Sequence, residues 1–202
     1  MKPLSKELEN KIKTQGQGDR TVQYQSLGNL KGRRDMEHRA KIMQIPENLE
    51  GKSVLDIGCN LGAVCIEFAS RNADRVVGID IHERTISIAK EYAEHIGMNK
   101  IEYYQANIDD GLESLKQKIG DQKFDYVLVL SVMNNVDRKS LIKIIKYFCK
   151  DTLYLEGHSK QKKEALVDFV TQTLGMDEVK FLGYTKDKYK RVNLKAKSTT
   201  KV

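Results

Sequence analysis

From Lys52 onward the chain alternates short apolar, β-branched runs with stretches of helical period, and this rhythm limits the fold more than any other feature. Residues 53–57, 75–80, 101–105, 124–130 and 152–156 read as strands. Residues 62–71, 83–96, 110–118, 138–149 and 160–174 between and after them place apolar side chains at helical spacing. Parallel strands need a crossover of about a dozen residues or more, usually a helix, so this order predicts parallel units with right-handed crossovers and helices on both faces. The end of the chain breaks the pattern. Residues 178–183 and 190–196 both look extended, and the polar stretch 184–189 is too short for a crossover helix, so these two form an antiparallel hairpin.

Upstream, residues 32–45 read as a helix with Met36, Ala40, Met43 and Ile45 roughly on one face, closed by Pro46. Residues 14–30 are rich in Gln, Gly and Ser without periodicity, and read as a flexible arm or a loop that orders over a ligand. The expected organisation is therefore a basic arm and helix over residues 1–45, covering a ligand site, and one α/β domain over residues 46–202.

No apolar run approaches the roughly 18 residues needed to cross a membrane. The first ten residues lack an apolar core and a small-residue cleavage site, so a cytoplasmic location is expected. Cys59, Cys65 and Cys149 stand outside any metal-binding spacing and read as reduced apolar residues. The formal net charge is +7, with basic residues clustered near both ends, which favours anionic partners.

The sharpest local signal is Val54-Leu55-Asp56-Ile57-Gly58-Cys59-Asn60-Leu61-Gly62, where a buried strand ends in a glycine-containing turn that opens a helix. In open α/β sheets ligands bind outside the carboxyl ends of the strands, where this turn lies. A dinucleotide site would want Gly-x-Gly-x-x-Gly and an anionic pyrophosphate at the helix start. Here the spacing is Gly58-x-x-x-Gly62, and the Asp56 carboxylate would repel a pyrophosphate and suit an amino-bearing, cationic ligand. The second strand ends at Asp80, at the spacing of about 20 residues at which a carboxylate meets ribose hydroxyls. An acid there also suits a helix N-cap.

The run Leu55–Gly62 followed by Gly78-Ile79-Asp80 resembles motifs one and two of class I S-adenosylmethionine-dependent methyltransferases. The resemblance implies a Rossmann-like, seven-stranded α/β sheet of five parallel units plus the C-terminal antiparallel hairpin, and S-adenosyl-L-methionine as cofactor. It implies that Asp56, Gly58, Cys59, Asn60 and Gly62 surround the methionine moiety, that Asp80 binds ribose with Ile81 beside it, and that Asn107 and Ile108 meet adenine, with Asp109 as the alternative to Asn107. Family members usually carry Gly at the position of Asn60.

Methyl acceptors should meet the ends of the fourth and fifth strands, Ser131-Val132-Met133-Asn134-Asn135 and Glu156-Gly157-His158. An imidazole titrates near neutrality, so His158 is the expected catalytic base, with Glu156 expected to orient it or bind a substrate hydroxyl. Ser131 is placed beside the cofactor. No Asn-Pro-Pro-Tyr, no Pro-Cys and no acidic trio stand out, which argues against base-amine, pyrimidine-carbon and metal-assisted methylation. Upstream, Tyr24-Gln25-Ser26-Leu27 with Arg33-Arg34-Asp35 is similar to a narrower group that methylates lipopolysaccharide sugars or phosphates. That likeness implies that Tyr24 and Arg34 hold the donor carboxylate, with Arg39 second. The expectation is O-methylation of an anionic small-molecule, sugar or phosphate-bearing acceptor. An RNA methyltransferase, to which the same glycine run is also similar, and an idle donor-binding module are the alternatives.

Overall fold

A computed structural model describes residues 3–14 and 24–198. Part of the 14–30 segment, and with it Arg20, lies outside the described residues, as do Lys2 and Lys201.

The sheet has seven strands: β1 (Ser53–Ile57), β2 (Arg75–Asp80), β3 (Ile101–Gln105), β4 (Phe124–Leu130), β5 (Cys149–Glu156), β6 (Glu178–Tyr184) and β7 (Val192–Lys197). They lie in the order β3-β2-β1-β4-β5-β7-β6. The first five are parallel, and β7 runs antiparallel between β5 and β6. This is the architecture the alternation predicts, with β7 inserted so that the hairpin's second strand, not its first, joins the parallel set. Strand β5 starts three residues earlier than its apolar run, because Cys149 already pairs with Phe124.

Alternation along each strand divides the core in two. Leu55, Ile57, Val77, Ile79, Val127 and Val129 face α5 (Leu112–Ile119), α6 (Arg138–Phe148) and α7 (Lys163–Asp168), which continues as a π-turn over Phe169–Thr173. Val54, Val76, Tyr126, Leu128 and Tyr154 face α2 (Met36–Met43), α3 (Ala63–Ala69) and α4 (Glu83–His95). Helix α2 is shorter than the predicted 32–45: Asp35 caps its start and Gln44 ends it in a left-handed conformation.

One helix was not foreseen. In α1 (Lys6–Lys13), Ser5 accepts from the Leu8 amide, and Leu8 and Ile12 bury against Ile88 and Tyr92 of α4. The spacing of Leu8 and Ile12 after a serine cap was the available signal, hidden by the surrounding lysines. Among the described residues no helix is long and apolar enough to cross a membrane.

Candidate functional site

The carboxyl ends of the parallel strands open into a cavity of about 570 Å3, lined among others by Tyr24, Gly58, Asn60, Asp80, Ile81, His82, Asn107, Ile108, Ser131, Val132, His158 and Arg191. Its first wall comes from the glycine turn. Gly58 has φ +76°, and a Cβ there would stand 2.5 Å from Val132 Cγ2, so a side chain would fill the space the turn leaves open. Asn60 sits at φ +53°, a left-handed conformation that Asn tolerates better than most residues, which explains how it replaces the customary glycine. Its buried Oδ1 has no partner among the described residues.

Asp80 closes this wall. Its Oδ2 accepts from the Asn60 amide at 3.0 Å and its Oδ1 from the His82 amide at 3.0 Å, so each oxygen keeps a lone pair for a ligand. Ile81, half exposed at 51%, and buried Ile108 supply apolar surface beside it. Asn107 lines the cavity while its own Oδ1 accepts from the Asp109 amide at 3.1 Å, capping a 3-10 turn. Asp109 is turned to the Asp137 amide instead, so Asn107 is the cavity residue of the two.

Other expected contacts are corrected. Asp56 lies behind the turn, 2% exposed, with Cys65 Sγ at 3.5 Å from its Oδ2. Burial pushes its carboxyl up to about 7, so it does not line the cavity with full negative charge. Cys59 is buried beneath the turn, and Gly62 serves as the left-handed cap of α3, where a side chain would collide with the Tyr103 hydroxyl. Glu156, expected at the acceptor, is wholly buried. Arg39 grips both its oxygens at 2.8 and 2.9 Å, and Arg34 donates to it at 3.0 Å. It is an ion-pair centre under the cavity floor rather than a group that meets substrate.

Arg34 is likewise committed to protein partners. Besides Glu156 it donates to the Tyr24 hydroxyl at 2.9 Å, to Ser131 Oγ at 3.1 Å and to Asp187. The Tyr24 hydroxyl accepts there and keeps its own proton for a cavity ligand. Ser131 donates to Glu156 and takes φ +63°, a costly conformation for serine that the surrounding network holds in place.

The upstream segment is fastened by a residue that sequence reasoning passed over. Gln25, 3% exposed, donates to the Cys59 carbonyl at 3.1 Å and accepts from the Ala63 amide at 3.1 Å, tying residues 24–34 onto the turn and onto the start of α3. Arg191 and Asp187, from the connection into β7, also reach the site unforeseen, since nothing local distinguishes them within a run of charged residues.

His158 lies on the wall beside Ser131 and Arg191, with a buried Nε2 that has no partner among the described residues. Burial and the Arg191 charge lower its basicity below the ordinary imidazole range, while Glu156 and the Ser131 backbone pull the other way.

The cavity thus joins an acceptor of diol hydrogen bonds, apolar surface, a glycine-built cradle and an unsatisfied amide oxygen, a set that suits a nucleoside bearing no phosphate. A methyltransferase-domain family model matches residues 48–192. Ubiquinone biosynthesis O-methyltransferase of Acinetobacter baylyi is 37% identical over 103 residues, 50% of this chain and 41% of the relative. Its counterpart in Actinobacillus pleuropneumoniae is 32% identical over 110 residues, 54% of this chain and 46% of the relative. The chain therefore spans less than half the length of these relatives. Among solved structures, a SAM-dependent methyltransferase from Aquifex aeolicus superposes with a TM-score of 0.62 at 15% identity, covering 80% of this chain and 89% of that one. Magnesium protoporphyrin IX methyltransferase from Synechocystis, solved with bound SAH, gives 0.58 at 20% identity, covering 75% and 76%; at such identities both likenesses speak to the fold. With the family model spanning residues 48–192, the chain belongs to the methyltransferase-domain family, on a fold it shares with solved SAM-dependent methyltransferases.

Proposed function

We propose that this protein methylates a hydroxyl oxygen of a small-molecule acceptor, with His158 as the general base. The observation that carries the reading is the buried Nε2 of His158, without a partner among the described residues, on the wall of the cavity that Asp80 also lines. The O-methyltransferase names of the curated relatives support an oxygen acceptor.

In this reading Asp80 accepts the two ribose hydroxyls, and Ile81, Asn107 and Ile108 receive the adenine. Gly58, Asn60, Ser131 and Tyr24 surround the methionine end, with residues 24–45 as the cover of the site. Bound there, S-adenosylmethionine supplies a methyl group already activated by its sulfonium. What remains for the chain is alignment of the acceptor and removal of its proton. A neutral His158 is ready for that step: its lowered basicity keeps the ring neutral at neutral pH, and in the tautomer that carries its proton on Nδ1, Nε2 can take the hydroxyl proton as the oxygen is alkylated.

The test is a turnover screen, read as release of S-adenosylhomocysteine, against hydroxylated aromatic acids, sugar phosphates and short RNA. His158→Gln should lower turnover roughly 10²–10⁴-fold, the range for a positioned base, with donor affinity unchanged. Unaltered turnover in that variant would remove the base assignment. Turnover on RNA alone, with binding that weakens steeply in salt, would move the acceptor to nucleic acid. Donor binding with no turnover on any acceptor would leave a binding module.

A further inference from the structure

Beneath and beside the acceptor wall runs a continuous chain of ion pairs: Arg39 to Glu156, Glu156 to Arg34, Arg34 to Asp187, and Asp187 to Arg191. Three guanidiniums meet two carboxylates. The side chains are 6, 0, 5, 22 and 11% exposed in that order, so water screens the surplus positive charge poorly. Asp56, whose carboxyl burial pushes up to about 7, lies near Arg39 at the far end and offsets little at the cavity.

The surplus surfaces at Arg191. Arg34 spends all three of its nitrogens on Tyr24, Ser131, Glu156 and Asp187. Arg191 lines the cavity, donates through Nη1 to Asp187 at 2.8 Å, and leaves its buried Nε without a partner among the described residues. Its guanidinium lies over the Tyr189 ring, 4.5 Å from the centroid, and its backbone amide is held by Thr185 Oγ1 at 2.9 Å, so the group is fixed in place. A planar fork with an unused donor, backed by uncompensated charge, is suited to an oxyanion.

We propose that Arg191 is the specificity-determining residue of the acceptor site, holding a carboxylate or phosphate of the same molecule whose hydroxyl faces His158. The acceptor is then a hydroxy acid or a hydroxylated phosphate ester. This rests on the reading of His158 as the base. The wall is consistent with it: Arg191 at the start of β7, Arg34 before α2, Glu156 on β5 and the Ser131 backbone after β4 all act on the imidazole, and Arg191 is the strongest of these charges. An anion on Arg191 would offset that charge and make His158 a stronger base only when an acceptor is in place.

The experiment saturates the donor site with S-adenosylhomocysteine and titrates inorganic phosphate and, separately, benzoate, following the His158 ring protons by NMR across pH. The expected result is that each bound anion raises the His158 pKa and that Arg191→Gln raises it without any anion. The same variant should weaken anion binding roughly tenfold or more, the loss of one hydrogen bond to a charged group. Arg191→Lys should recover part of it, because the charge returns without the fork. Tighter phosphate than benzoate assigns a phosphate-bearing acceptor, and the reverse a carboxylate. Anion binding untouched by Arg191→Gln overturns the proposal. So does weaker S-adenosylhomocysteine binding in that variant by calorimetry, since it would place Arg191 on the donor's own carboxylate. Because anion binding is read without turnover, an active His158→Gln enzyme would sink the base assignment while leaving the Arg191 site standing.

Discussion

The two halves of the cavity are built on different principles. The half that the proposed reading gives to the donor comes from the ends of β1, β2 and β3 and is made of backbone conformation and short-range bonds: Gly58 and Asn60 in left-handed geometry, and Asp80 gripping the amides of Asn60 and His82. The half that it gives to the acceptor, at the ends of β4 and β5 and the start of β7, is made of buried charges from distant parts of the chain: Arg34 meets Asp187 across 153 positions and Arg39 meets Glu156 across 117. A backbone cradle accepts one ligand shape and tolerates few changes. A charged network can be re-paired by a few side chains, so the same donor site can serve different acceptors.

The largest expected effect falls on the acceptor half. Glu156→Gln leaves Arg34 and Arg39 facing each other without their shared carboxylate, and should cost about 3–5 kcal/mol in urea unfolding, as when one partner of a buried pair is removed. Wild-type stability in this variant would break the comparison, because the network would then not hold that wall together. Next comes the donor half. Asp80→Ala should weaken S-adenosylmethionine binding by about 1.5–3 kcal/mol, read by calorimetry, with turnover at saturating donor less affected. An unchanged dissociation constant would refute its ribose role.

Gly58→Ala sharpens the contrast further. The left-handed backbone costs an L-residue about 1–2 kcal/mol, and the added methyl must displace Val132. Donor affinity should fall together with stability, whereas Glu156→Gln should separate the two. A pH-dependent effect concerns the carboxyl behind the turn. Because burial raises the Asp56 carboxyl from 3.8 to about 7, the folded state holds a proton that the unfolded chain releases. Its stabilising share is complete below about 3.8 and is lost as pH rises through about 7. Relative to Asp56→Asn, the wild type should therefore lose stability over that window; parallel stability curves would show that Asp56 is already charged when buried.

Where one ladder of short-range patterns carried the information, the strands could be read before folding. All five parallel strands and the closing pair follow from apolar alternation and from the six polar residues 184–189, too few for a crossover. The cavity positions of Asp80 and Asn107 could be read as well, since Asp80 ends β2 and Asn107 stands two residues beyond β3, and such strand ends face the ligand crevice. Helix α1 was missed because its apolar stripe is two buried residues among lysines and glutamates. Asp56 and Glu156 were each placed on the wrong side of their strand end. An acid at the carboxyl end of a strand can point into the crevice or under it, and which one holds depends on the partners waiting there: Cys65 for Asp56, two arginines for Glu156.

Linear order alone determined the sheet, the donor turn and the carboxylate twenty positions beyond it, because those features rest on contacts between neighbours and on strand periodicity. Only the folded chain decided which charges are buried, and that Arg191, unlike Arg34, lines the cavity with a nitrogen that has no partner among the described residues. Those outcomes depend on desolvation and on pairings across more than a hundred residues, and neither quantity is written in any local stretch of sequence.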